Sequence, residues 1–114
     1  MGTHYEGRPV PEKDWRYLRS IQPELLNGLC SRINQKAAEI ISSQGESEHA
    51  KYQKLHKHIH ESDECVARCF DDWRRSNFWM TLLLLSRYGL LTDTLVRGFT
   101  EEGRQGIQAI DSLP

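Results

Sequence analysis

The chain has 114 residues, 27% of them charged and 38% hydrophobic, with a formal net charge of −1. Those figures fit one domain with a modest core and exclude disorder of the whole chain. A near-neutral total supplies no general attraction to nucleic acid or to an anionic membrane, so either partner would need a local patch.

Three cysteines make an odd number, and no charged and then apolar leader opens the sequence, so the expectation is reduced thiols in the cytoplasm. The start "MGTHYE" has the glycine of an acylation signal but Glu6 where a hydroxyl residue is required. The most apolar run, Phe78 to Leu85, is far shorter than the about 20 residues that span a bilayer, so no membrane is expected.

In chain order, residues 1–10 mix Gly, Pro and charge without an apolar period and read as a flexible N-terminal arm. A single helical domain is expected over 11–111, with 112–114 a tail. Pro11 suits the first turn of a short helix that presents Trp15 and Leu18, and Pro23 disfavours helical geometry at Gln22. From Pro23 to about Ser43 the residues Leu25, Leu26, Leu29, Ile33, Ala37 and Ile40 recur at spacings of three and four, one apolar stripe on a long helix. "SSQGESE" is a turn with Gly45 as terminator.

Between Glu46 and Tyr88 there is neither Gly nor Pro. One helix of that length would run to about 65 Å, longer than a compact domain of this size. A break belongs at "RRSN", where Ser76 or Asn77 can cap, which gives a long central helix pair at about 47–75 and 77–88. Gly89 ends the second of these, Thr92 caps a short helix, and Thr100 caps a last one loosened by Gly103 and Gly106. No segment alternates with period two, so the fold class is all-α: a small helical bundle of four to five helices.

The stretch "KLHKHIHESDECVARCF" carries the densest chemistry. At 100° per residue, Tyr52, Leu55, Ile59, Val66, Phe70 and Trp73 share a sector of about 60° and are expected to be buried. His56, His60 and Glu64 are i, i+4 neighbours along its edge, a spacing that brings imidazole nitrogens together and suits a divalent metal. Against that stands the plainer reading of boundary histidines, since no second Glu-x-x-His cluster completes a bundle metal site. His58, Cys65 and Cys69 form another set, read as opposite the stripe, with donors for zinc or copper(I), although a helical Cys-x3-Cys is a weak metal signal. Cysteines there suggest a helix covered on two sides. The expectation is therefore no metal and no cofactor, with a metal-binding helical protein kept as the alternative.

"LSRYGLLTDTLVRGF" also invites a helix-turn-helix reading over residues 77–99. A recognition helix needs basic or amide groups on its exposed N-terminal face, and this one offers Asp93, Thr94 and Arg97, so a nucleic-acid partner is disfavoured. No phosphate loop, nucleophile elbow or His-Glu-x-x-His is present, "DDWRR" reads as solvated pairs of Asp71 with Arg74 and Arg75, and no catalytic residue is assigned. The remaining expectation is a protein that acts by protein–protein interaction, as a homodimer or a regulatory adaptor. Its surface is expected around Trp73, Phe78, Trp79 and Leu83, because aromatic side chains concentrate at interfaces.

Overall fold

A computed structural model describes residues 8–113. Among them the chain is all-helical, without a strand: α1 Glu12–Ser20, α2 Gln22–Ser42, α3 Glu48–Phe70, a 3-10 turn at Arg75–Asn77, α4 Phe78–Arg87, α5 Asp93–Val96 and α6 Glu101–Asp111. Six α-helices stand where four or five are expected, and the last two begin at the expected caps: Thr92 Oγ1 accepts from Leu95 N at 3.3 Å and Thr100 Oγ1 from Gly103 N at 3.1 Å.

Capping explains the other boundaries as well. Ser47 Oγ accepts from Ala50 N at 3.1 Å to open α3, after a turn in which Gly45 takes φ +83°. Gly89, at φ +69°, closes α4 and lets Leu90 N return to Leu85 O at 2.9 Å. The expected break falls in the right place, but α3 stops at Phe70, ahead of the 75 that its lack of Gly and Pro suggests. Asp72 draws the chain out of the helix: it takes Arg74 Nε at 2.7 Å and Asn77 Nδ2 at 2.7 Å, which turns Asn77 away from capping α4. Arg74 beside it holds the Asp72 carboxyl below its ordinary range. The partner of Arg74 is thus Asp72, not Asp71.

The core is built at one end of the molecule. Leu18 of α1, Leu25 of α2, Phe78, Leu82 and Leu85 of α4, Phe99 just ahead of α6 and Ile110 within it are fully enclosed, with Trp15 and Trp79 beside them. Phe78 meets Trp79 edge-on at 4.8 Å and Trp15 at 6.4 Å. Two polar devices lock it. Asp14, wholly buried on α1, accepts from Thr100 N at 2.7 Å and from Thr100 Oγ1 at 2.6 Å, so α1 caps α6 from outside. Arg32 of α2 donates to Tyr88 O at 2.6 Å and Gly89 O at 2.5 Å, closing the C-terminus of α4.

The flexible arm expected over 1–10 lies outside the described residues as far as residue 7. Beyond it the segment packs down: Trp79 Nε1 donates to Pro9 O at 3.2 Å, Arg75 Nη2 to Val10 O at 3.1 Å, and the Arg8 guanidinium stands 5.4 Å from the Trp79 ring centre.

From this core α2 and α3 project as an antiparallel hairpin. The extents are 53 × 32 × 23 Å and the radius of gyration is 17.0 Å, where a compact domain of this length has about 13 Å. The outer half of the hairpin is what makes the difference.

Candidate interaction face on the hairpin

The two longest helices are the least enclosed. The buried residues of α2 are Leu25 and Leu29, and α3 has Cys69 alone, whereas the much shorter α4 buries Phe78, Trp79, Thr81, Leu82 and Leu85. Outward from Leu29 and Cys69 the two helices cover only each other.

The face that α3 turns to α2 is not the expected one. Lys51, Leu55, His58, Ser62 and Cys65 are half-buried and Cys69 is buried, a run at alternating steps of four and three. His58 Nε2 donates to Ile33 O at 2.9 Å across this seam. Tyr52 and Ile59, expected in the core, are 66% and 41% exposed. The physical reason is that α2 supplies a narrow partner and can shelter only one sector of α3. The sector it covers centres on the thiols, and at 100° per residue they stand about a quarter turn from the Tyr52–Ile59 stripe, not opposite it. Val66 and Phe70, nearer the body, pack against the core, and Phe70 stacks on Trp73 at 5.8 Å.

The hairpin therefore has two unlike sides. On one, a groove is lined by Lys36 and Glu39 of α2, by Ser43 just past its end, and by Lys54, Lys57 and Glu61 of α3. Glu46, close to its end, accepts from Lys54 and Ser43, and these bonds hold its carboxyl below the usual range. Each exposed apolar side chain of the hairpin sits two positions from a groove residue: Ile41 from Glu39, Tyr52 from Lys54, Ile59 from Glu61. Two positions on an α-helix are about 160° apart, which puts Ile41, Tyr52 and Ile59 together on the other side. With Ala37, Leu55 and Val66 half-buried between and behind them, they extend the core outward as one apolar face.

The expected surface around Trp73, Phe78, Trp79 and Leu83 is divided by the fold. Phe78 and Trp79 are 0% and 4% exposed and belong to the core. Trp73 and Leu83 are half-buried, and the Trp73 indole donates to Cys69 O at 2.8 Å. The signal that misled is the all-apolar "FWMTLLLL", which records burial by α1 and α6 within the same chain.

Neither metal set is assembled. Among the described residues no group of three or more His, Cys, Asp or Glu could hold a metal ion. His56, His60 and Glu64 all point into solvent, with His60 Nε2 at 4.0 Å from Glu64 Oε2. In the other set His58 spends a ring nitrogen on the Ile33 carbonyl, and burial pushes the Cys69 thiol up to about 11, away from the thiolate a metal needs. The helix-turn-helix segment narrows to α5, a single turn of four residues, too short to lay a reading face along a groove.

No helix among the described residues is long and apolar enough to cross a membrane. No family model, curated protein or solved structure matches the chain.

Proposed function

We propose that the chain is a protein-interaction module that acts by binding, and that its docking surface is the apolar side of the α2–α3 hairpin. The observation that carries this reading is the pairing of exposed Ile41, Tyr52 and Ile59 on one side of a projecting two-helix arm whose other side is a charged groove. Singly exposed apolar residues are ordinary on any surface; several aligned along a helix pair and continuous with the core mark a place where another protein excludes water. Removing such a face from water contributes about 25 cal/mol for each Å² of apolar area. The reading places the module in the cytoplasm, where Cys30, Cys65 and Cys69 stay reduced, in keeping with all three being free in the fold.

The test uses the tagged full chain as bait in native lysate supplemented with the untagged chain, against the bait carrying Tyr52→Asp and Ile59→Asp. Both positions are solvent-exposed, so far-UV circular dichroism and the melting temperature stay as in the parent. The expected result is a specifically retained protein, whether foreign or the untagged chain, that the double variant fails to hold. Equal recovery by both baits refutes the surface.

A further inference from the structure

A second surface, on the body of the molecule and separate from the hairpin, already carries an occupant. We propose that Trp79 and Arg75 form a binding site for an extended peptide segment containing arginine and proline. In this chain its own residues 8–11, Arg-Pro-Val-Pro, fill the site, and a segment of the same chemistry from another protein takes it when that strap lifts. The Trp79 indole donates to Pro9 O at 3.2 Å, and the Arg75 guanidinium donates to Val10 O at 3.1 Å. The Arg8 guanidinium stands 5.4 Å from the Trp79 ring centre, within cation–π range, and Val10 packs against the core. Two consecutive carbonyls, a cation and an apolar side chain are each met by a group of the body.

The strap has the character of a ligand more than of a piece of core. Residues 8–11 lie outside any helix, with Pro9 exposed and the other three half-buried. Pro11 sits at φ −65° and ψ 126°, in the polyproline region. Pro9 and Pro11 fix their own φ and favour extended geometry at Arg8 and Val10, so little freedom is lost on docking. Neither proline has an N–H, which leaves carbonyls as the groups to be read. Donors beside an aromatic face read such carbonyls, and proline-rich segments are recognised in general by this means. The fold itself sets the two donors in place. Phe78 meets the Trp79 ring edge-on at 4.8 Å, and Gly106 admits that ring where a Cβ would collide with it. Glu12 Oε1, in the first turn of α1, holds Arg75 Nη2 at 3.1 Å.

The test follows the Trp79 indole N–H of the full chain by proton–nitrogen correlation NMR, with a blocked peptide of residues 7–12 (GRPVPE) as the probe. In the triple variant Arg8→Ala, Pro9→Gly, Val10→Gly the indole signal should move as the strap loses its anchors. Added peptide should return it toward the parent position. Arg75→Ala on that background, at a side chain 53% exposed, should weaken the binding about fivefold, the contribution of one hydrogen bond. A peptide with both prolines replaced by glycine should also bind about fivefold more weakly, because its free form is less ordered. In the parent chain the same GRPVPE peptide, at about the millimolar effective concentration of a tethered segment, should shift the Val10 amide toward its free position while the indole signal stays. A peptide without effect on either chain overturns the proposal and leaves residues 8–11 as packing alone. An unmoved indole signal in the triple variant overturns it too, as does undiminished binding with Arg75→Ala or with the glycine peptide. If circular dichroism shows the triple variant unfolded, the parent chain decides by itself.

Discussion

Cys69 shows how far one side chain's environment departs from its type. Desolvation by burial raises its thiol from the ordinary 9.0 to about 11, and Cys65 alongside adds to the effect. The thiol is therefore protonated at neutral pH and a poor nucleophile, which suits a small apolar filler at the base of the hairpin more than a redox centre. The linkage runs one way: the folded chain holds this proton more tightly than the unfolded chain. Its contribution to stability is full below about pH 9 and is lost as pH rises through about 11. Alkylation of Cys69 by iodoacetamide under native conditions should accordingly be slow at pH 8 and climb only as pH approaches 11, read by mass spectrometry of the peptide. Rapid labelling at pH 8 would mean that the residue is open to solvent and that the base of the hairpin is looser than described.

Among the elements, α6 departs most from what its composition suggests. Gly103 and Gly106 count against a helix by propensity, yet α6 is regular from Glu101 to Asp111 and docks closely. A Cβ at Gly103 would collide with the Asp14 carboxyl, and one at Gly106 with the Trp79 ring. The glycines are thus the condition for α6 to approach α1 and α4 at all, and the cost in backbone entropy is offset by the contact it permits. Gly28 on α2 is the opposite case, with nothing within 4 Å of the added atom. The two substitutions should have opposite signs. Gly28→Ala is expected to stabilise by about 0.5–1 kcal/mol, whereas Gly106→Ala should destabilise by roughly 1–3 kcal/mol despite its better propensity. Thermal denaturation of both variants measures this, and a stabilised Gly106→Ala chain would show that α6 does not rest on Trp79.

At the scale of the whole molecule, enclosure is uneven. One end combines α1, α4, α5, α6 and the near halves of α2 and α3 around a continuous core; the other is a two-helix arm with no buried residue beyond Leu29 on α2. Local stability follows local burial. Amide hydrogens of 33–43 and 48–60 should exchange markedly faster than those of α4 in the chain on its own. Uniform protection across the chain would contradict the picture of a weakly enclosed arm.

Much of the fold could be read before any coordinates. Helices without strands, the turn at Gly45, the break before Phe78, and the caps at Thr92 and Thr100 follow from local rules: a hydroxyl that caps and a glycine that takes positive φ; the rule that a proline keeps its predecessor out of a helix fails at Gln22, which is the first residue of α2. These act over a few residues, so the amino-acid order alone decides them. Which way each helix faces is another matter. Periodicity identifies an apolar sector but not the width of the neighbour available to cover it. The same greasy residues that promise an interface at Phe78 and Trp79 turn out to be the chain's own core, while Tyr52 and Ile59, which look like core, are left outside. Only the packing of α1 and α6 over α4, and of a single narrow helix against α3, settled that exchange, because burial is a property of what surrounds a side chain and the surroundings come from distant parts of the sequence.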